Sequence, residues 1–161
     1  MGLDMFLYAE KQEYKSENYC YPKNTMLTLD YPPELDYAKN YCYPSVTMNT
    51  KYEIAYWRKA NAVHKYFVDL NGGVDDCRPI EVGLTELRKL VSICEEIKND
   101  HSKAKELLPT EDGFFFGSTD YDKWYFDDID TTIKMLQPAI EAVEKLIKRG
   151  EDWVIIYRAS W

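Results

Sequence analysis

The sequence predicts an α+β fold: one compact domain in which a small antiparallel sheet, with strands from both ends of the chain, packs with about three helices. Three observations carry this. Residues 2–9 alternate in the manner of a strand, with Leu3, Met5 and Leu7 on one face and Asp4, Phe6 and Tyr8 on the other. From residue 53 to residue 149 apolar positions recur mostly at the three- and four-residue steps of helices. After Gly150 the run Trp153–Tyr157 returns to strand character. A length of 161 residues fits one domain, the usual size being roughly 100–200 residues.

Taken in order, the first strand leads into residues 10–50, which carry Pro22, Pro32, Pro33 and Pro44 and keep no sustained period. Here Asn18-Tyr19-Cys20-Tyr21-Pro22 recurs as Asn40-Tyr41-Cys42-Tyr43-Pro44, with Thr25-Met26 and Thr47-Met48 following at equal spacing. Two such copies are too few for a solenoid. They read as an irregular insertion, an elaborated surface loop or hairpin pair, with an aromatic lid over a ligand as the alternative. A first helix is expected from Glu53 to Leu70 along Ile54, Trp57, Ala60/Asn61, His64 and Phe67/Val68, stopped by Asn71-Gly72-Gly73. A second runs from Thr85, as N-cap, to Asp100, with Leu87, Leu90/Val91, Cys94 and Ile97 as its stripe. Phe114-Phe115-Phe116 reads as a short buried strand. Gly117-Ser118-Thr119-Asp120 then enters a third helix over 121–149, with Trp124, Ile129, Ile133, Leu136, Ile140, Val143 and Ile147 inward and Pro138 expected to kink or divide it.

Composition narrows the function. A formal net charge of −8 argues against direct nucleic-acid binding, which needs a basic surface. The longest apolar runs, such as Val154–Tyr157, are too short to span a bilayer, and the start of the chain lacks the pattern of a signal peptide. No membrane partner and a cytoplasmic setting are therefore expected, where Cys20, Cys42, Cys77 and Cys94 would be free thiols. These cysteines with His64 and His101 lack the local ligand spacing of a zinc site. No G-x-S-x-G or H-E-x-x-H motif is present, and no spacing favours His64 with Cys77 as a nucleophile pair. No catalytic residue, metal or cofactor is assigned. The unusual quantity is aromatic content, 14 Tyr, 6 Phe and 4 Trp.

Several blocks carry a resemblance. Met1-Gly2-Leu3-Asp4-Met5, Tyr56-Trp57-Arg58-Lys59-Ala60-Asn61-Ala62-Val63-His64, Asp75-Asp76-Cys77, Leu108-Pro109-Thr110, Gly113 to Asp122 and Tyr157-Arg158-Ala159-Ser160-Trp161 are similar to blocks in a family of small bacteriophage and prophage proteins. The likeness spans both ends of the chain and omits residues 10–50. Members often carry a phosphoglycerate kinase label, which a chain this short and without a phosphate-binding glycine signature does not support. The resemblance implies a phage origin, hence the cytoplasm of a bacterial host.

Three clusters bear on chemistry. On a helix, Trp57, Asn61 and His64 would share a face, flanked by Arg58 and Lys59: an indole to stack, an amide to read hydrogen bonds, cations for phosphate. The plain alternative is a core tryptophan and a satisfied buried histidine. Gly117-Ser118-Thr119 at a helix start would offer N–H groups and hydroxyls to an anion, or simply cap the helix through Ser118, Thr119 or Asp120. Glu111, Asp112, Asp120, Asp122, Asp127, Asp128 and Asp130 would form a solvated acidic face, a divalent-metal site or a mimic of DNA. The leading expectation is a phage-encoded, non-catalytic binding protein, a homo-oligomer that sequesters a small nucleotide-like immune signal such as a cyclic nucleotide or ADP-ribose derivative. Its expected contacts are Trp57, Arg58, Lys59, Asn61, His64, Phe116, Gly117, Ser118, Thr119, Asp120, Tyr121 and Arg158. The alternatives are an acidic protein–protein inhibitor of a host defence enzyme and a small metal-dependent nucleotide hydrolase.

Overall fold

In the computed structural model, which describes residues 2–16, 33 and 45–161, a four-stranded antiparallel sheet has the order β2-β1-β4-β3. Its strands are β1 (Asp4–Ser16), β2 (Ser45–Arg58), β3 (Ile80–Glu81) and β4 (Trp153–Ser160). The helices are α1 (Asn61–Leu70), α2 (Leu84–Asn99), the single turn α3 (Ala104–Leu107) and α4 (Lys123–Lys148). The chain divides into two compact units, Met1–Glu10 with Lys51–Trp161, and Lys11–Thr50. The smaller unit takes in the far end of β1 and the start of β2; the repeated Asn-Tyr-Cys-Tyr-Pro segments lie outside the described residues. The larger unit holds the hydrophobic core.

The alternation at the start of the chain does form a strand, with Leu3, Met5, Leu7 and Ala9 buried and Phe6 and Tyr8 half-buried. Strands from the two ends of the chain lie side by side at the centre of the sheet. Pairing continues to β3 through Ile80 opposite Tyr157 and Glu81 opposite Ile156. Ile155 and Tyr157 of β4 join Leu3, Met5 and Leu7 in one core with Leu87, Leu90 and Ile97 of α2 and Ile129, Leu136 and Ile140 of α4. Helices α2 and α4 pack on each other. Cys94 is buried in this core as a small apolar residue, and burial pushes its thiol pKa up to about 12.

Several expectations are corrected. Residues 53–58 are strand, not helix. The segment Tyr52–Trp57 is rich in aromatic and β-branched side chains, and Ala55 and Trp57 are buried while Tyr56 is exposed and Ile54 half-buried, so a period of two fits it as well as one of 3.6. Helix α1 begins only at Asn61. Phe114–Phe116 is a turn closed by Phe116 N–H donating to Gly113 O; Phe114 is exposed and only Phe116 is buried. Helix α2 starts after Gly83, one residue before Thr85 could cap it. Helix α4 is capped by Asp122, whose Oδ1 accepts the N–H groups of Trp124 and Tyr125, rather than by Ser118, Thr119 or Asp120. Pro138 does not divide it: α4 is continuous across that position. Trp124 and Ile147, expected inward, are exposed, and Tyr125 and Thr132 take buried positions instead.

Trp57 belongs to the core. Its Nε1–H donates to the fully buried Oγ1 of Thr132 at 2.8 Å, and its ring contacts Phe67. Trp57→Phe removes that donor and leaves a buried hydroxyl with one partner fewer, which costs about 1–3 kcal/mol. Thermal denaturation should show a melting temperature lower by roughly 2–4 °C for each kcal/mol lost. An unchanged transition would show that the buried hydrogen bond contributes nothing to folding.

Candidate functional site

The site is built around the junction of β2 and α1. Lys59 adopts a left-handed backbone, φ 59°, and this single residue converts strand into helix. Its N–H donates to Leu3 O at 2.8 Å and its carbonyl accepts from Asn61 N–H at 2.9 Å. Gly117, φ 90°, approaches the Lys59 stem so closely that a Cβ there would stand 3.3 Å from Lys59 Cβ. The Lys59 side chain also runs over Gly2, where a Cβ would meet its Cε at 3.2 Å.

Asn61, buried at the start of α1, fixes the facing loop. Its Nδ2 donates to Phe116 O at 3.2 Å and Ser118 O at 2.7 Å, and its Oδ1 accepts from Glu111 N–H at 3.3 Å. Thr110 ties the same loop across itself, its hydroxyl donating to Thr119 O at 2.9 Å. Tyr125 of α4 completes the frame, donating from its hydroxyl to Leu108 O at 2.8 Å. Each of these carbonyls has a donor, so the loop is held by hydrogen bonds rather than by regular structure.

Between the β2–α1 junction, the 110–120 loop and the first turns of α4 lies a cavity of about 310 Å³. That is at the lower end for small-molecule sites, which run from about 300 to 1,000 Å³. Val63, Tyr125 and Ile129 supply apolar lining, and Arg58, Lys59, Ser118 and Asp120 supply polar groups. Helix α4 adds Trp124, whose side chain is 73% exposed, and Asp128. Arg58 makes a loose surface pair with Asp4 at 4.0 Å. Lys59 has no ion-pair partner among the described residues. Burial pushes the Asp128 carboxyl up to about 6, and the charges of Asp127 and Asp122 push the same way.

Of the residues expected to contact a ligand, the cavity brings together Arg58, Lys59, Asn61, Gly117, Ser118 and Asp120. The other six lie elsewhere. Trp57 is in the core. His64 is fully buried, its Nδ1 2.7 Å from the Tyr157 hydroxyl and its Nε2 3.0 Å from Asp75 Oδ2, so both ring nitrogens are occupied and neither serves Cys77. Phe116 packs edge-on against His64, Thr119 is an exposed loop residue, and Tyr121 packs on Tyr125. Arg158 is on β4, 3.8 Å from Glu10. The expected anion cradle at the head of α4 is closed, because Asp122 takes its first free amides and places a negative charge there. The cationic groups lining this cavity are Arg58 and Lys59, with the Ser118 residue beside them.

Sequence reasoning passed over Thr110 and Tyr125, placed Asp128 only within the acidic run and not beside Arg58 and Lys59, and read Trp124 as core. The available signal was the pair Trp124 and Asp128, four residues apart and so on one face of α4. The acidic run is partly neutralised: Asp130 pairs with Lys98 at 2.7 Å and Asp127 with Lys123 at 3.8 Å. Among the described residues no three His, Cys, Asp or Glu side chains converge to hold a metal ion, and no helix is long and apolar enough to cross a membrane. Comparison with known protein families, characterised proteins and solved structures finds no match, so the chemistry rests on these residues alone.

Asp128 makes stability depend on pH. Its folded-state pKa of about 6 exceeds the ordinary 3.8, so its contribution is fully present below about pH 4 and is lost as pH rises through about 6. Asp128→Asn should therefore melt above the parent chain at pH 7–8, with the difference shrinking toward pH 4. Parallel melting curves across that range check it, and a variant less stable than the parent at pH 8 would refute the raised pKa.

Proposed function

We propose that this chain is a non-catalytic binding protein that captures a small nucleotide-like molecule in the cavity between the β2–α1 junction and α4. The phage origin implied by the sequence resemblance extends the reading: the capture sequesters a nucleotide-derived signal of host immunity. The observation that carries it is the joint lining of one cavity by two cations, Arg58 and Lys59, and by the exposed indole of Trp124. Cations suit phosphate, and an indole suits the face of a base. Most of the Trp124 surface meets solvent, with the Lys123 ammonium 5.9 Å from the ring centre, which leaves indole surface open to a base.

The cavity's size suits a mononucleotide or one nucleotide unit of a larger signal. The Lys59 backbone is held in the left-handed region and its stem runs close to Gly2 and Gly117, so the base of the side chain is set at the cavity before a ligand arrives. One observation favours a second reading, a hydrolase: a half-buried carboxyl titrating near 6, as Asp128 does, is suited to moving a proton close to neutral pH.

Native mass spectrometry of protein freshly purified from bacterial cells, with release and identification of anything bound, tests both. Recovery of an intact nucleotide supports capture; recovery of a cleaved one supports the enzyme. Failure to bind any of a panel of mononucleotides, cyclic nucleotides and ADP-ribose derivatives at millimolar concentration overturns both readings. Where binding is seen, Arg58→Ala with Lys59→Ala should weaken it by tenfold or more, since each charge-assisted contact contributes about 1.5–3 kcal/mol. Trp124→Ala should also weaken it by about fivefold or more, a stacked base contributing about 1–3 kcal/mol. Isothermal titration checks each value.

A further inference from the structure

We infer that the base taken by this cavity is guanine in preference to adenine, its edge received by Asp128 while its face lies on Trp124. The inference rests on the nucleotide reading above and names its substrate class. Trp124 and Asp128 stand at i and i+4 on α4, one turn apart on the same face, and both line the cavity. The separation suits a planar group stacked on the indole with one edge turned toward the carboxylate.

The carboxylates on this wall are not equivalent. Asp122 is engaged at its own helix, accepting the N–H groups of Trp124 and Tyr125. Asp120 is an exposed loop residue. Asp128 is half-buried, and among the described residues nothing donates a hydrogen bond to it or pairs with it. A half-buried carboxylate to which no group of the described chain donates leaves both oxygens available to donors from whatever fills the cavity.

Guanine meets that demand. Its N1–H and its exocyclic N2–H lie side by side on one edge and point the same way, so the two oxygens of an ionised carboxylate accept both, in the parallel geometry of a bidentate pair. Adenine presents N6–H beside the N1 lone pair, and an ionised carboxylate, which only accepts, meets that lone pair with repulsion. Hypoxanthine keeps N1–H and lacks the amino group, so it falls between. Arg58 and Lys59, on the β2–α1 junction, remain for the phosphate.

Titration of the full chain with GMP, IMP and AMP at pH 7.5 tests this without any variant. The expected order is GMP tightest, IMP weaker and AMP weakest, with GMP over AMP by at least tenfold. Asp128→Asn offers one donor and one acceptor in the same place, so it should reduce that ratio to near one or reverse it, while circular dichroism shows the fold retained. Equal binding of GMP and AMP, or tighter AMP, with affinity still dependent on Trp124, overturns guanine selection and leaves nucleotide capture standing. A guanine preference unchanged in Asp128→Asn also overturns the assignment. No binding of any of the three overturns the inference together with the mononucleotide form of the reading on which it rests.

Discussion

The junction at Lys59 is the constraint on which the site depends. One residue in the left-handed region ends β2 and releases the chain into α1 two residues later. Because the turn is this short, the strand's inward Trp57 and the helix's inward Asn61 are placed in different environments although only three residues separate them. Trp57 goes to the core beside Thr132 and Phe67, while Asn61 reaches across to the loop that carries Ser118. Arg58 and Lys59, between them, are left at the rim of the cavity. The backbone strain of a non-glycine residue at φ 59°, of order 1–3 kcal/mol, is held by the hydrogen bond to Leu3 O and by the close approach of Gly2 and Gly117.

From that junction the rest of the frame follows by hydrogen-bond accounting. The 110–121 segment has no regular structure, so its polar backbone groups need side-chain partners. Asn61 of α1 and Thr110 of the loop itself provide them, while Tyr125 of α4 ties down Leu108 just before the segment. The same logic closes the head of α4: Asp122 satisfies the free amides that could have cradled an anion. Arg58 and Lys59 come to the cavity from the β2–α1 junction and Asp122 and Asp128 from α4 and its cap, and the proposed orientation of a nucleotide rests on their coming from these different elements.

His64 shows the other use of polar groups in this fold. Fully buried, it links Tyr157 of β4 to Asp75, and Asp75 also accepts the indole N–H of Trp161 at 3.3 Å. Burial, with the nearby Asp75 and Cys77, pushes the Tyr157 phenol pKa well above its ordinary value, so it stays a neutral member of this network. A chain that looked like a ligand-reading constellation along one helix is thus divided into a structural network and a cavity rim.

The sequence by itself determined the α+β class, the strand character of both chain ends, the stripe of α2, the middle of the α4 stripe from Ile129 to Val143 and the glycine stop after α1. These rest on periodic burial, which local pattern encodes. It also marked Arg58, Lys59, Asn61, Gly117, Ser118 and Asp120, because charged, amide and glycine residues cluster there whatever the backbone does. The tertiary structure alone decided the rest. Residues 53–58 fit helical and strand periods equally, and only their pairing beside β1 makes them a strand. Trp124 and Trp57 are alike as residues, yet α4 packs on the stripe that begins at Tyr125 and leaves the first outward, while the register of β2 turns the second inward. A half-buried carboxylate is defined by what surrounds it, so Asp128 acquired its character from the fold.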